Sequence, residues 1–373
     1  MAGPAAQALP AAVPEPAAAA SAPDVPPAPT PGASAPLVRA ATMTAALRVP
    51  RVLGRLRAAQ LGLVINSADP YSVEVGEYYV RQRQLQPAQV LHVELPLRDA
   101  LTAPEFEALR ERIEQFFGAD IQALALAWNA PFAVECNSIT GALALGFDAA
   151  LCAHSCERSR ASSYFNSASL RPLDEHGFRL SMLIAAGTVD AARRLIDRGV
   201  AADGSAGLRG APPVIALYVP TADAARNVRA PLYPRAGLLP TLGIEVRVQA
   251  PQEMPQQPRL MLLQIGLAQV PHLDALQWAP GALADHLTSF GGLLTQRQGQ
   301  TTALQWIESG ATASYGNVSE PCNHLQKFPH PQVLLLNYAQ GASAIEAYWK
   351  SVAWPQQGVF IGEPLAAPFA RRR

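Results

Sequence analysis

Asp285-His-Leu-Thr-Ser-Phe-Gly-Gly292 places an acid, an imidazole, two hydroxyls and two glycines side by side. Nucleophilic catalysis uses this set, with Ser289 as nucleophile, His286 as base and Asp285 as its orienter. The Gly291 and Gly292 amides would then form an oxyanion site, and Thr288 would help bind the ligand. The spacing departs from a nucleophile elbow, because Leu287 stands where Gly-x-Ser-x-Gly has its first glycine. The plainer alternative is a capped turn in which Thr288 and Ser289 bond to backbone.

A second candidate stretch is Ser319-Glu-Pro-Cys322, with His324 close behind. Cys322 can serve as a nucleophile with His286 or His324 as base, and Glu320 as an acid or an amine-holding group. Against this stands a loop in which Cys322 is buried or oxidised. Cys136, Cys152, His154 and Cys156 offer four N/S donors, enough for a tetrahedral zinc site. The paired Cys-x-x-Cys spacing is absent, so no metal centre is expected. Disulfides and free buried thiols remain, and four cysteines leave three pairings open.

Asp223, Arg226, Asn227 and Arg229 form a polar cluster after an apolar run. Two arginines at that spacing can clamp a carboxylate or a phosphate, and loop salt bridges are the competing reading. Asn66 and Asp69 close the first apolar run and are expected on the same sheet edge, where open α/β sheets bind ligands. No Gly-x-Gly-x-x-Gly and no Gly-x4-Gly-Lys-Ser/Thr occurs, so no nucleotide cofactor is expected.

These residues must be positioned by strands and helices. Leu61–Asn66, Val90–Leu95 and Ile121–Ala127 read as buried strands. Between them lie a helix capped by Ser72 and a helix opened by the Thr102/Glu105 capping box. Phe106, Leu109, Ile113 and Phe116 share one face of the second helix. The order β-α-β-α-β predicts a parallel sheet flanked by helices. Residues 136–182, rich in Cys and Ser, read as an insertion. A helix is predicted over 188–198 with Gly199 as its stop. Further strands are predicted at 213–219, 243–248, 259–265, 311–315 and 359–361, and helices at 299–308 and 342–352. Residues 60–370 read as one α/β domain behind a disordered Ala/Pro-rich tail over 1–45.

Composition narrows the function classes. Hydrophobic residues are 49% and charged residues 16% of 373, enough apolar matter for a core. Formal net charge is zero, which excludes nucleic-acid binding by bulk charge. No apolar run reaches the roughly 18 residues of a membrane span. The start lacks the basic and apolar regions of a signal peptide. Arg48, Arg51, Arg55 and Arg57 form a short basic stretch, either solvated or a patch for an acidic surface. Of the 29 Lys+Arg residues only Lys327 and Lys350 are lysine, which reads as coding bias.

Several blocks carry a family resemblance: Ile65-Asn-Ser-Ala-Asp-Pro-Tyr-Ser72, Leu195 to Asp203, Arg226-Asn-Val-Arg229, Asp285 to Gly292, Gly310 to Cys322, Ala347-Tyr-Trp-Lys-Ser-Val352 and Phe360-Ile-Gly-Glu-Pro-Leu365. Over residues 60–370 the chain resembles a bacterial family found with the exosortase protein-sorting system. That resemblance implies export to the periplasm or beyond. More distantly, residues 260–365 are similar to gingipain-type cysteine proteases. This implies a caspase-like, three-layer α/β architecture. The late blocks Gly310-Ala311 and Gly362-Glu-Pro364 match, whereas Ile265-Gly266 stands where those enzymes have His-Gly. The expected function is therefore binding of a peptide or protein partner by a catalytically degenerate relative. A Cys or Ser peptidase and a structural envelope protein are the alternatives.

Overall fold

Short apolar runs alternate with helical stretches from Leu61 onward, and the chain folds accordingly. The computed structural model describes residues 48–295 and 299–371. The tail read over 1–45 lies outside them. β1 (Leu61–Asn66) leads through α1 (Pro70–Arg83) to β2 (Val90–Val93). β3 (Ala100–Leu101) and α2 (Ala103–Phe116) precede β4 (Ala123–Leu126). The Cys- and Ser-rich stretch holds β5 (Ala133–Val134), β6 (Asn137–Ser138), α3 (Ile139–Leu145), α4 (Ala150–Ala153) and α5 (Pro172–His176). β7 (Leu180–Leu183) and α6 (Val189–Ala202) follow. Next come β8 (Val214–Val219), β9 (Gly237–Leu239), β10 (Ile244–Val248), β11 (Leu260–Ile265) and β12 (Trp278–His286). α7 (Ala303–Ser309), β13 (Ala313–Asn317), α8 (Pro331–Ala339), α9 (Ala344–Ser351) and β14 (Gly358–Gly362) complete the elements used below.

Eleven strands form one sheet in the order β2-β1-β4-β7-β14-β13-β12-β11-β8-β10-β9. β13–β14 and β10–β9 pair antiparallel, and the other neighbours are parallel. This is the mostly parallel, helix-flanked α/β fold expected from the element order. Strand periodicity builds its two faces. On β8, Val214, Ala216 and Tyr218 join one apolar cluster, while Ile215, Leu217 and Val219 join the other. Both sets are buried, as a sheet covered on both faces requires.

Four local expectations are corrected. Asp69, not Ser72, caps α1, accepting from the Tyr71 amide at 3.0 Å. Ser72 instead accepts from the Asn66 amide at 2.7 Å. Phe116 is exposed and Phe117 is buried in its place. Gly199 does not stop α6 but lies within it, where a Cβ would meet Glu363 Cγ at 2.6 Å. That approach lets Glu363 take a bidentate bond from Arg83 at 2.9 and 2.7 Å, tying α1 to the end of β14. Finally, β12 runs the full length from Trp278 to His286, where the sequence predicts only a strand end leading into Asp285–Gly292. It carries Ala, Pro and Gly rather than β-branched residues, so its propensity signal is weak. Tyr338 and Tyr348 reach over it from α8 and α9 and donate to the Gly281 and Ala284 carbonyls at 2.5 and 3.1 Å.

The two lysines have structural work, which the coding-bias reading missed. Both are fully buried. Lys327 Nζ donates to the Ser155 carbonyl at 2.6 Å. Lys350 Nζ donates to the Ser167 and Ser169 carbonyls, each at 2.6 Å, and lies 4.3 Å from the Tyr164 ring centroid. Burial pushes both ammonium groups down to about 8. An ammonium is compact and can satisfy several carbonyls at one point, which a planar guanidinium cannot copy. Together they hold the irregular stretch before β7 against the rest of the domain.

Candidate functional site

The parallel strands β8, β11, β12 and β13 end on one edge of the sheet. Asp285, near the end of β12, is buried, and its carboxylate receives Arg229 Nη1 at 2.5 Å and Gln264 Nε2 at 2.8 Å. Arg229 is equally buried and also donates to the Pro329 and Ile265 carbonyls. Burial pushes the Asp285 carboxyl up, and Arg229 and Gln264 pull it back. The segment carrying Arg229 is seated by Thr221, whose hydroxyl donates to the Gly266 carbonyl at 2.7 Å. Gly266 is required here, because a Cβ would run into the Arg226 carbonyl. Arg226 bonds Asp223 at 3.0 Å and Thr288 Oγ1 at 3.2 Å. The arginine cluster is therefore occupied by this chain's own acids and hydroxyls.

His286 follows Asp285 and points away from it in function. Its Nδ1 accepts from Trp306 Nε1 at 2.9 Å. Burial drives its pKa down to about 3, with Arg229 and Arg226 adding to the fall and the Thr301 main chain opposing it. Such an imidazole is neutral, and the lone pair a base would use is committed to Trp306. Ser289 is half-buried and makes no hydrogen bond to His286. The expected Ser289–His286–Asp285 relay is thus corrected: Asp285 serves Arg229, and His286 serves Trp306.

The glycines are explained by packing. The Gly292 amide donates to the Asn317 carbonyl at 2.8 Å, and the Gly291 carbonyl accepts from Ala303 at 2.7 Å. The Gly292 amide cannot also serve an oxyanion. A Cβ on Gly292 would lie 2.5 Å from the Gly316 carbonyl oxygen. Gly292→Ala is expected to cost about 2–3 kcal/mol as overpacking. Gly118→Ala, with nothing within 4 Å of the new methyl, is the near-neutral control. Equal urea midpoints for the two variants would refute this packing account.

Cys322 is joined to Cys156, and Cys136 to Cys152. The nucleophilic Cys322 expected above has no thiol to offer in this form. The pairing ties the loop after β13 to the Ser-rich stretch that Lys327 also holds. Glu320 Oε1 accepts from the Cys322 amide at 2.8 Å, closing the turn rather than facing a substrate.

Asn66 and Asp69 leave β1 on the same edge but far along the sheet. Seven strand spacings separate β1 from β8 in the strand order, a distance on the order of 30 Å. They do not join the Asp223–Arg226 cluster. Asn66 is consumed locally: its side chain bonds the Leu95 amide at 2.9 Å and the Leu95 carbonyl at 3.1 Å. These bonds hold the chain after β2 to the end of β1, beside a cavity of about 490 Å³. Ser67, His92, Glu94, Glu105 and Arg112 supply its polar groups, and Val93, Leu95 and Leu109 are part of its apolar wall. Ser67 Oγ lies 3.4 Å from His92 Nδ1. The cavity runs beside β2, the edge strand of the sheet. No motif in the sequence marks this cavity, because Ser67 and His92 come together only through the parallel pairing of β1 and β2.

Neither a protein-family model nor a curated protein matches the chain. Among solved structures it is similar to the Arg-specific cysteine proteinase gingipain R, at 12% identity and a TM-score of 0.43, over 83% of this chain and 78% of that one. It is also similar to a complex of the pro- and mature domains of the same Porphyromonas gingivalis proteinase, at 12% and 0.42, over 84% and 79%. A third structure, described as a protease, is similar at 10% and 0.47, over 83% and 78%. A likeness of this size transfers no activity, and the α/β fold stands on the chain's own strand order.

Proposed function

We propose that this chain is a catalytically degenerate, caspase-like α/β protein that binds an extended peptide of a partner protein, in the setting of exosortase-type sorting. The observation that carries the reading is the filling of the β11–β13 edge. A buried ion pair, a neutral histidine committed to Trp306 and a disulfide occupy the places where a nucleophile and its base are needed. Ile265-Gly266 in place of His-Gly agrees with this. Binding is assigned instead to the crevice beside β2, because an edge strand offers unpaired main-chain groups for strand addition and the apolar wall supplies side-chain pockets. The two disulfides suit an oxidising compartment.

Folded protein treated with a fluorophosphonate and a thiol-reactive peptide electrophile tests the absence of catalysis. No selective adduct at Ser289 or Cys322 is expected by mass spectrometry. Stoichiometric labelling of either residue, lost in His286→Gln, would establish a hydrolase and overturn the reading. Hydrogen exchange on Val90–Val93 in the presence of an extended-peptide library supplies the binding readout, and protection there is the expected result.

A further inference from the structure

The basic stretch near the start of the domain lines a second and larger cavity. It measures about 950 Å³ and lies at the opposite sheet edge, where β1, β8 and β10 begin. Arg51, Arg55, Arg57 and Arg371 line it, and among the described residues no Asp or Glu does. The chain as a whole has zero formal net charge, so this is local segregation of charge. Arg55 reaches Asp203 only at 3.8 Å, and Asp203 is already bonded by Arg83 at 2.8 Å. Val52, Leu242 and Phe369 supply apolar lining, beside Thr241 and Gln340. Leu53 stands 74% exposed at its rim.

The segment carrying Arg51, Arg55 and Arg57 has no helix or strand of its own from Arg48 to Arg57, yet it is anchored. The Val52 amide donates to Gln340 Oε1 at 2.7 Å, and Gln340 Nε2 donates to the Pro50 carbonyl at 3.2 Å. The Leu56 amide donates to the buried Glu346 carboxylate at 3.0 Å. The cations are thus presented on a fixed backbone, which lowers the ordering cost of binding.

We infer that this cavity binds an acidic peptide segment of a partner protein, with carboxylates on Arg51, Arg55 and Arg371 and an apolar side chain in the recess. Charge complementarity selects the acidic residues. Depth selects a peptide over a bilayer, because a flat headgroup layer cannot fill a concave recess. The inference does not rest on the crevice beside β2, which lies on the other edge.

The test uses the full chain and a short fluorescein-labelled peptide of Glu carrying two leucines, read by fluorescence anisotropy. A Lys-for-Glu peptide and vesicles of phosphatidylglycerol with phosphatidylcholine are the comparison probes. The Glu–Leu peptide is expected to bind, with affinity falling as salt rises. Arg51→Glu with Arg371→Glu should raise its Kd about tenfold or more. Arg235→Glu, an exposed arginine that lines neither this cavity nor the crevice beside β2, should leave the Kd unchanged. Unchanged affinity in the double variant, with its circular dichroism intact, would overturn the inference. So would failure of the Glu–Leu peptide to bind, or binding of the vesicles without the peptide.

Discussion

Arg229→Ala is expected to lose about 3–5 kcal/mol of unfolding free energy. The guanidinium and the Asp285 carboxylate are each 1% exposed. Removing the arginine leaves the carboxylate with Gln264 as its partner, strands the Pro329 carbonyl and leaves the Ile265 carbonyl with the Leu287 amide alone. Burial alone already pushes Asp285 up, so without Arg229 the group protonates or the loop opens to water. The discriminating variant is the pair Arg229→Met with Asp285→Leu. Replacing both charges removes the desolvation cost together with the attraction, so the pair should be more stable than Arg229→Ala alone. Urea unfolding of the three proteins decides it. A single variant as stable as the parent would mean that the ion pair is wet, and that the edge stands open to ligands.

Stability should also fall steeply with acid through His286. Its pKa drops from the ordinary 6.5 to about 3 on folding, chiefly through burial. Between those values the unfolded chain binds a proton that the folded chain refuses, so stability rises with pH. The contribution is whole above pH 6.5 and is lost as pH falls toward 3. From pH 7 to pH 4 the expected loss is about 3 kcal/mol from this residue. His176 and His330 are lowered as well, each first by burial, and add slope of the same sign. The buried carboxyls Asp285 and Glu346 are raised and act in the opposite sense. The measurement is therefore a difference curve between the parent and His286→Gln. Glutamine can still accept from Trp306 but cannot take up the proton. Parallel stability–pH curves for the two proteins would show that His286 titrates normally. It would then be available as a base, and the hydrolase reading would return.

The sheet was legible because its strands obey short-range rules. Leu61–Asn66, Val214–Val219 and Leu260–Ile265 are apolar runs of strand length, and their burial follows from composition alone. The α2 capping box was legible for the same reason, since Thr102 and Glu105 need only each other. The length of β12 was not legible, because its small residues are selected by the tyrosines of α8 and α9 that lie over it. Gly199 misled for a related reason: a glycine that ends a helix and a glycine that admits Glu363 are the same letter.

The candidate site divides along the same line. Sequence by itself determined which groups are present: Asp285, His286, Ser289, the arginines at 226 and 229, and four cysteines. It also determined the α/β class and the local segregation of arginine before β1. Only tertiary structure decided the partner of each group. Asp285 could orient a histidine or neutralise an arginine, and a loop 56 residues away in sequence made the choice. Cys322 could be a nucleophile or half of a crosslink, and Cys156, 166 residues away, made that one. Propensity and periodicity act over a few residues, whereas charge pairing, proton affinity and thiol oxidation depend on what lies within a few ångströms in space.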